Sequence, residues 1–168
     1  MTERRAIVIF PPAPDMNPVE AMRRRFNPLA ETIPAHVTLV FPFAAGISDE
    51  DLKRHVESAM QGRRSFSLDL LGVSCTADQF LLLNIGRGAD EVRVLHDRLY
   101  TGPLHEFLSP QEFTPHVTVG RFSTAEACDE ARKVVRAADP RVQTVASAIR
   151  VYGLGAEPYV VQVEVRWL

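Results

Sequence analysis

His-Val-Thr stands twice in this chain of 168 residues, at 36–38 and again at 116–118. Side chains alternate faces along an extended strand, so residues two apart share a side. His36 and Thr38 therefore face one way, and Val37, Leu39 and Phe41 the other. His116 and Thr118 repeat the arrangement against Val117 and Val119. With nine Thr in the chain, its five His would meet the pattern H-x-T about 0.3 times by chance. Two matches with the same central Val, each just after a proline (Pro34 and Pro115), form a constellation.

Two imidazoles and two hydroxyls suit phosphodiester chemistry. Histidine titrates near pH 6.5 when unperturbed, so one ring can be neutral while the other is protonated. The neutral ring takes a proton from water or a ribose hydroxyl, and the protonated ring gives its proton to the leaving oxygen. Threonine hydroxyls donate to non-bridging oxygens as their charge grows. No Asp or Glu stands two or four residues after either histidine, and two His alone are too few ligands for a metal site.

The elements that must carry these residues follow from periodicity and punctuation. Residues 4–10 (RRAIVIF) read as a strand ended by PPAP. Asn17-Pro18-x-Glu20 signals a helix start, and Val19, Met22, Phe26 and Leu29 follow at helical spacing. Residues 36–43 are a strand. Ser48 opens a helix that stops at Gly62. Strands are expected at 65–73 and 79–85, a helix near 89–100 and a strand at 113–122. Ser123-x-x-Glu126 reads as a capping box for a helix to about Ala138, and strands at 143–153 and 158–167 close the chain.

The order helix, HVT strand, helix, strand, strand thus occurs twice. His36 and His116 are 80 apart, while Phe66 and Val145, like Phe80 and Tyr159, are 79 apart. The strand at 79–85 can stand in the second half where 4–10 stands in the first. This predicts one domain over 1–168 built as two pseudo-symmetric lobes by internal duplication. A pseudo-twofold between the lobes would turn the two His-x-Thr pairs toward one cleft.

HVTLVFPF and HVTVGRF resemble the paired H-x-T-x motifs of the 2H phosphoesterase superfamily, which includes bacterial 2′-5′ RNA ligase-like proteins and cyclic nucleotide phosphodiesterases. The resemblance implies an α+β, bilobal fold with two antiparallel sheets lining a central cleft and helices outside. It implies a metal-independent, cofactor-free phosphodiesterase acting on 2′,3′-cyclic or 2′-5′-linked nucleotide or RNA ends. Carried over residue by residue, His36 and His116 are the catalytic pair, with His36 the donor and His116 the acceptor. Thr38 and Thr118 hold the phosphate. Arg121 matches an arginine common five residues after the second histidine. Strict alternation puts Arg121 on the face opposite His116, and only a kink at Gly120 would bring it round. Pro42-Phe43 departs from the Gly-containing turn of ligase-like members, which bears on substrate class.

Composition bounds the partners. Apolar residues are 46% of the chain, enough for a core, and the net charge is −2. That balance argues against long duplex nucleic acid, which calls for many uncompensated cations. The expected partner is a small nucleotide or an RNA end, met by a monomer. Cys75 and Cys128 form no C-x-x-C, and are expected as reduced, part-buried thiols in a cytoplasmic protein. No apolar run reaches bilayer-spanning length, so no membrane is expected. His55, His96 and His105 carry no assigned role. Arg23 to Arg25 and Arg63-Arg64 read as solvated faces, and Phe41 and Phe43 as core. Phe10 is open between core and a stacking role. The alternative function is a non-catalytic nucleotide or RNA-end binding module on the same scaffold.

Overall fold

A computed structural model describes residues 2–155 and 159–168. Eight strands form one antiparallel sheet in the order β6-β3-β4-β5-β2-β1-β7-β8. They are β1 (Arg4–Ile9), β2 (Val37–Ala44), β3 (Phe66–Cys75), β4 (Phe80–Ile85), β5 (His116–Arg121), β6 (Val142–Ala146), β7 (Ala148–Gly153) and β8 (Val160–Arg166). The helices are α1 (Asn17–Phe26), α2 (Asp49–Met60), α3 (Ala89–Leu99) and α4 (Ala125–Ala138). Residue 158, where the last strand was expected to begin, lies outside the described residues.

The two expected sheets are the halves of this one sheet. They meet where β2 and β5 share a single registered pair, Val37 with Val117. Outward from that seam, β4 occupies in one half the place of β1 in the other, as the repeat predicts. The stretch 143–153 differs from expectation. It breaks at Ser147 into β6, which pairs with β3, and β7, which crosses to β1. Each half of the sheet therefore draws strands from both halves of the chain.

Apolar alternation explains the layering. Ile7, Ile9, Val37, Leu39, Val117 and Val119 are fully or almost fully buried, in one core with the apolar stripes of the helices. α1 packs across the seam on β5, and α3 packs across it on β2. On the other face Ala6, Val8, Ile33 and Tyr152 make a second, smaller cluster beneath Phe10 and Tyr159.

Several local expectations are corrected. A 3₁₀ turn at Ala13–Met16 leads straight into α1, so Asn17 is its first residue rather than a cap, and the helix ends before the exposed Leu29. Thr124, not Ser123, caps α4, its side chain accepting the Ala127 N–H at 3.1 Å. Ser48 caps α2 as read. Cys75 and Cys128 are not thiols. They are joined as a disulfide between the end of β3 and α4, with Cα atoms 6.3 Å apart. Their separation of 53 residues concealed that α4 packs on β3, and the cysteines are no argument for a reducing compartment. Among the described residues no helix is long and apolar enough to cross a membrane.

Candidate active site at the sheet seam

The antiparallel register at the seam fixes the arrangement of the doubled motif. With Val37 opposite Val117, one step outward in each direction sets His36 across from Thr118 and Thr38 across from His116. Directly opposed residues sit about 5 Å apart and diagonal ones about 7–8 Å. The two His-x-Thr pairs thus share one face across the seam, near enough for the charge of His116 to bear on His36. All four are half-exposed, whereas Val37, Leu39, Val117 and Val119 are buried on the other face.

Each imidazole is anchored in the same way. His36 Nδ1–H donates to the carbonyl of Pro34 at 2.8 Å, and His116 Nδ1–H donates to that of Thr114 at 2.6 Å. A carbonyl can only accept, so Nδ1 carries the proton in both neutral rings and Nε2 is left with its lone pair. Equal tethering to the residue two positions upstream is not visible in the motif itself.

The surroundings of the two rings differ. The edge of Phe10 lies 5.8 Å from His36 and that of Tyr152 lies 6.1 Å away, centroid to centroid. Burial against them, reinforced by the positive charges of Arg23 and His116, lowers the His36 pKa to about 4. The Pro34 hydrogen bond opposes that shift. Burial also lowers the His116 pKa, opposed by its bond to Thr114.

Arg23, expected on a solvated face, is 1% exposed. It donates to Glu20 Oε2 at 2.7 Å and to the carbonyl of Ile33 at 2.8 Å. Glu20 Oε1 accepts the Ala35 N–H at 2.5 Å. This α1 ion pair grips residues 33–35, the backbone that holds His36. The other motif has Pro115 where this one has Ala35, so no N–H needs a buried acceptor there. The i,i+3 spacing of Glu20 and Arg23 was the available signal. Their grip on a distant loop was not legible. Removing one member of a buried pair leaves the other uncompensated. Arg23→Met is therefore expected to lower unfolding free energy by about 3 kcal/mol in chemical denaturation. A loss below about 1 kcal/mol would contradict this reading of the pair.

Arg121 arrives on the histidine face by the kink that Gly120 was expected to allow. β4 and β5 pair Leu82 with Thr118 but Leu81 with Gly120, so Val119 is an extra residue in the ladder. After this bulge Arg121 lies opposite Phe80, with its guanidinium 5.2 Å from the centre of that ring. A side chain at Gly120 would meet the backbone oxygen of Phe26 at 2.7 Å, so α1 and the bulge fit only around glycine.

A cavity of about 550 Å³ opens beside His116 and Thr118. His36 and Thr38 do not line it. Two residues read otherwise in the sequence do. Phe41, expected in the core, is 43% exposed and forms part of its wall, and His96 stacks on Phe113 there. Phe43 is core as read. His55 Nε2 bonds the Leu99 carbonyl, away from the seam. Among the described residues no group of three or more His, Cys, Asp or Glu is gathered as for a metal ion.

Comparison with known proteins agrees with this architecture. A family model described as the 2′-5′ RNA ligase superfamily matches residues 10–155. A Bacillus licheniformis protein named "Putative phosphoesterase" is 28% identical over 120 residues, covering 68% of this chain and 69% of its own. A crystal structure titled as a phosphoesterase superposes with TM-score 0.69 at 18% identity, over 99% of both chains. E. coli LigT complexed with 3′-AMP gives TM-score 0.67 at 16% identity, over 99% of both chains. At such identities the structural matches speak for the fold.

Proposed function

The chain belongs to the 2′-5′ RNA ligase superfamily, and from that membership we propose a metal-independent 2H phosphodiesterase that opens 2′,3′-cyclic phosphates or cleaves 2′-5′-linked nucleotide ends. The observation that supports this reading is the seam register, Val37 opposite Val117, from which both His-x-Thr pairs fall on one face of the sheet.

In hydrolysis the phosphorus sits between the rings. Nε2 of the neutral ring accepts a proton from water as the water oxygen bonds to phosphorus. Nε2–H of the other ring gives its proton to the ribose oxygen as the phosphorus–oxygen bond breaks. The resemblance assigns donation to His36 and acceptance to His116, and running the reaction backward exchanges them. Thr38 and Thr118 hydroxyls donate to the non-bridging oxygens, and Arg121 adds a cation at the rim. Glu20 and Arg23 hold the His36 segment.

The test is incubation of 2′,3′-cyclic nucleotides with the protein in excess EDTA. The expected product is a nucleoside monophosphate, at a rate unaffected by the chelator. Tight binding without any product would favour the binding-module alternative, and stoichiometric zinc in active protein would favour a metal hydrolase.

A further inference from the structure

The cavity beside His116 has a chemical character that proton transfer leaves unused. Six rings stand in its wall, those of Phe41, Phe80, Phe107, Phe113, Tyr100 and His96. Tertiary contacts set that wall. His96, itself buried, stacks on Phe113 with ring centres 3.9 Å apart and planes 5° from parallel. The Tyr100 hydroxyl accepts the Phe41 N–H at 3.0 Å. About 550 Å³ falls in the size range of small-molecule sites, and ring faces hold a nucleobase whatever its identity.

The charges in that lining have the wrong sign for a phosphate. Asp78, from the turn between β3 and β4, and Glu112, from the loop before β5, both line the cavity and are exposed. Among the described residues no Lys or Arg lines it. Arg121 stands over Phe80 but is not part of the lining. Sites that seat phosphate gather cations or oriented N–H donors. Ser74, Thr76, Ser109, Gln111 and Thr114 add uncharged hydroxyl and amide groups to the lining, so its fixed charges among the described residues are the two carboxylates.

We propose that this cavity seats the uncharged nucleoside of the substrate and excludes a second phosphate, so that the enzyme prefers ends whose nucleoside carries no further phosphate on that side. This rests on the phosphodiester reading above and adds the substrate class. Base stacking supplies the affinity, and repulsion from Asp78 and Glu112 supplies the selection.

Two measurements test it. The first is binding of adenosine 3′-monophosphate and adenosine 3′,5′-bisphosphate by calorimetry. The bisphosphate, despite its greater charge, is expected to bind about tenfold more weakly at low salt. The gap should narrow at high salt and in the Asp78→Asn/Glu112→Gln double variant. Equal or tighter binding of the bisphosphate overturns the inference, as does a gap that the double variant leaves unchanged. The second is turnover of adenosine 2′,3′-cyclic phosphate with and without a 5′-phosphate. Turnover of both at equal kcat/KM sinks the cavity inference and keeps the phosphodiesterase. Discrimination in binding with no turnover of either sinks the phosphodiesterase and keeps the cavity.

Discussion

Alanine in place of His36 or of His116 is expected to lower turnover of a 2′,3′-cyclic nucleotide by about 10³-fold. Each ring moves a different proton in the same transition state, so losing either leaves the other without its complement. The double variant should then be little worse than either single one, since groups acting as a unit are not additive. Both variants should remain folded, because each ring is only half-buried and bonds one carbonyl. Rates of purified variants, beside their denaturation curves, check this. More than a tenth of wild-type turnover in either variant would remove the two-histidine mechanism.

The second large effect is on pH dependence. The active form of the free enzyme carries one proton on the pair, so kcat/KM should be bell-shaped. Burial lowers both rings from 6.5, that of His36 to about 4. Both limbs should therefore fall below 6.5, with the acid limb near 4. The two apparent values belong to the coupled pair rather than to single residues. An alkaline limb at or above pH 7 would contradict the burial described. Stability follows the same group. The unfolded chain binds a proton at His36 more readily than the folded one, so stability falls as pH drops from 6.5 to about 4. The loss attributable to His36 is on the order of 3 kcal/mol. Denaturation midpoints across that window, compared with those of His36→Ala, isolate its share.

The doubled HVT and the repeat around it were enough to read the β2 and β5 motifs, their shared face and the equivalence of β1 with β4. Strand alternation is a local property, and Val37, Leu39, Val117 and Val119 obey it. What escaped depends on chain segments that meet only in three dimensions. The disulfide needed α4 laid against β3. The burial of Arg23 needed the loop at 33–35 folded over α1. The cavity wall at Phe41 needed the loop before β5 and the turn after α3. The break at Ser147 escaped because apolar residues run on through 142–153, and only the demand of β1 for a partner separates β6 from β7. Arg121 lay between these cases. Its face depends on a bulge, for which Gly120 was the one visible sign.

The pairing of β1 with β7, Arg5 against Gly153 and Val8 against Arg150, spans nearly the whole chain. A polypeptide leaving the ribosome can form the β3–β4 hairpin early, since those strands are neighbours in sequence. It cannot complete the half that backs His36 until residues near 153 have emerged, and contacts this distant in sequence form slowly. Closure of the His36 corner thus waits for most of the chain. Until then Ala6, Val8 and the open edge of β1 lack the strand and the ring of Tyr152 that cover them in the finished fold.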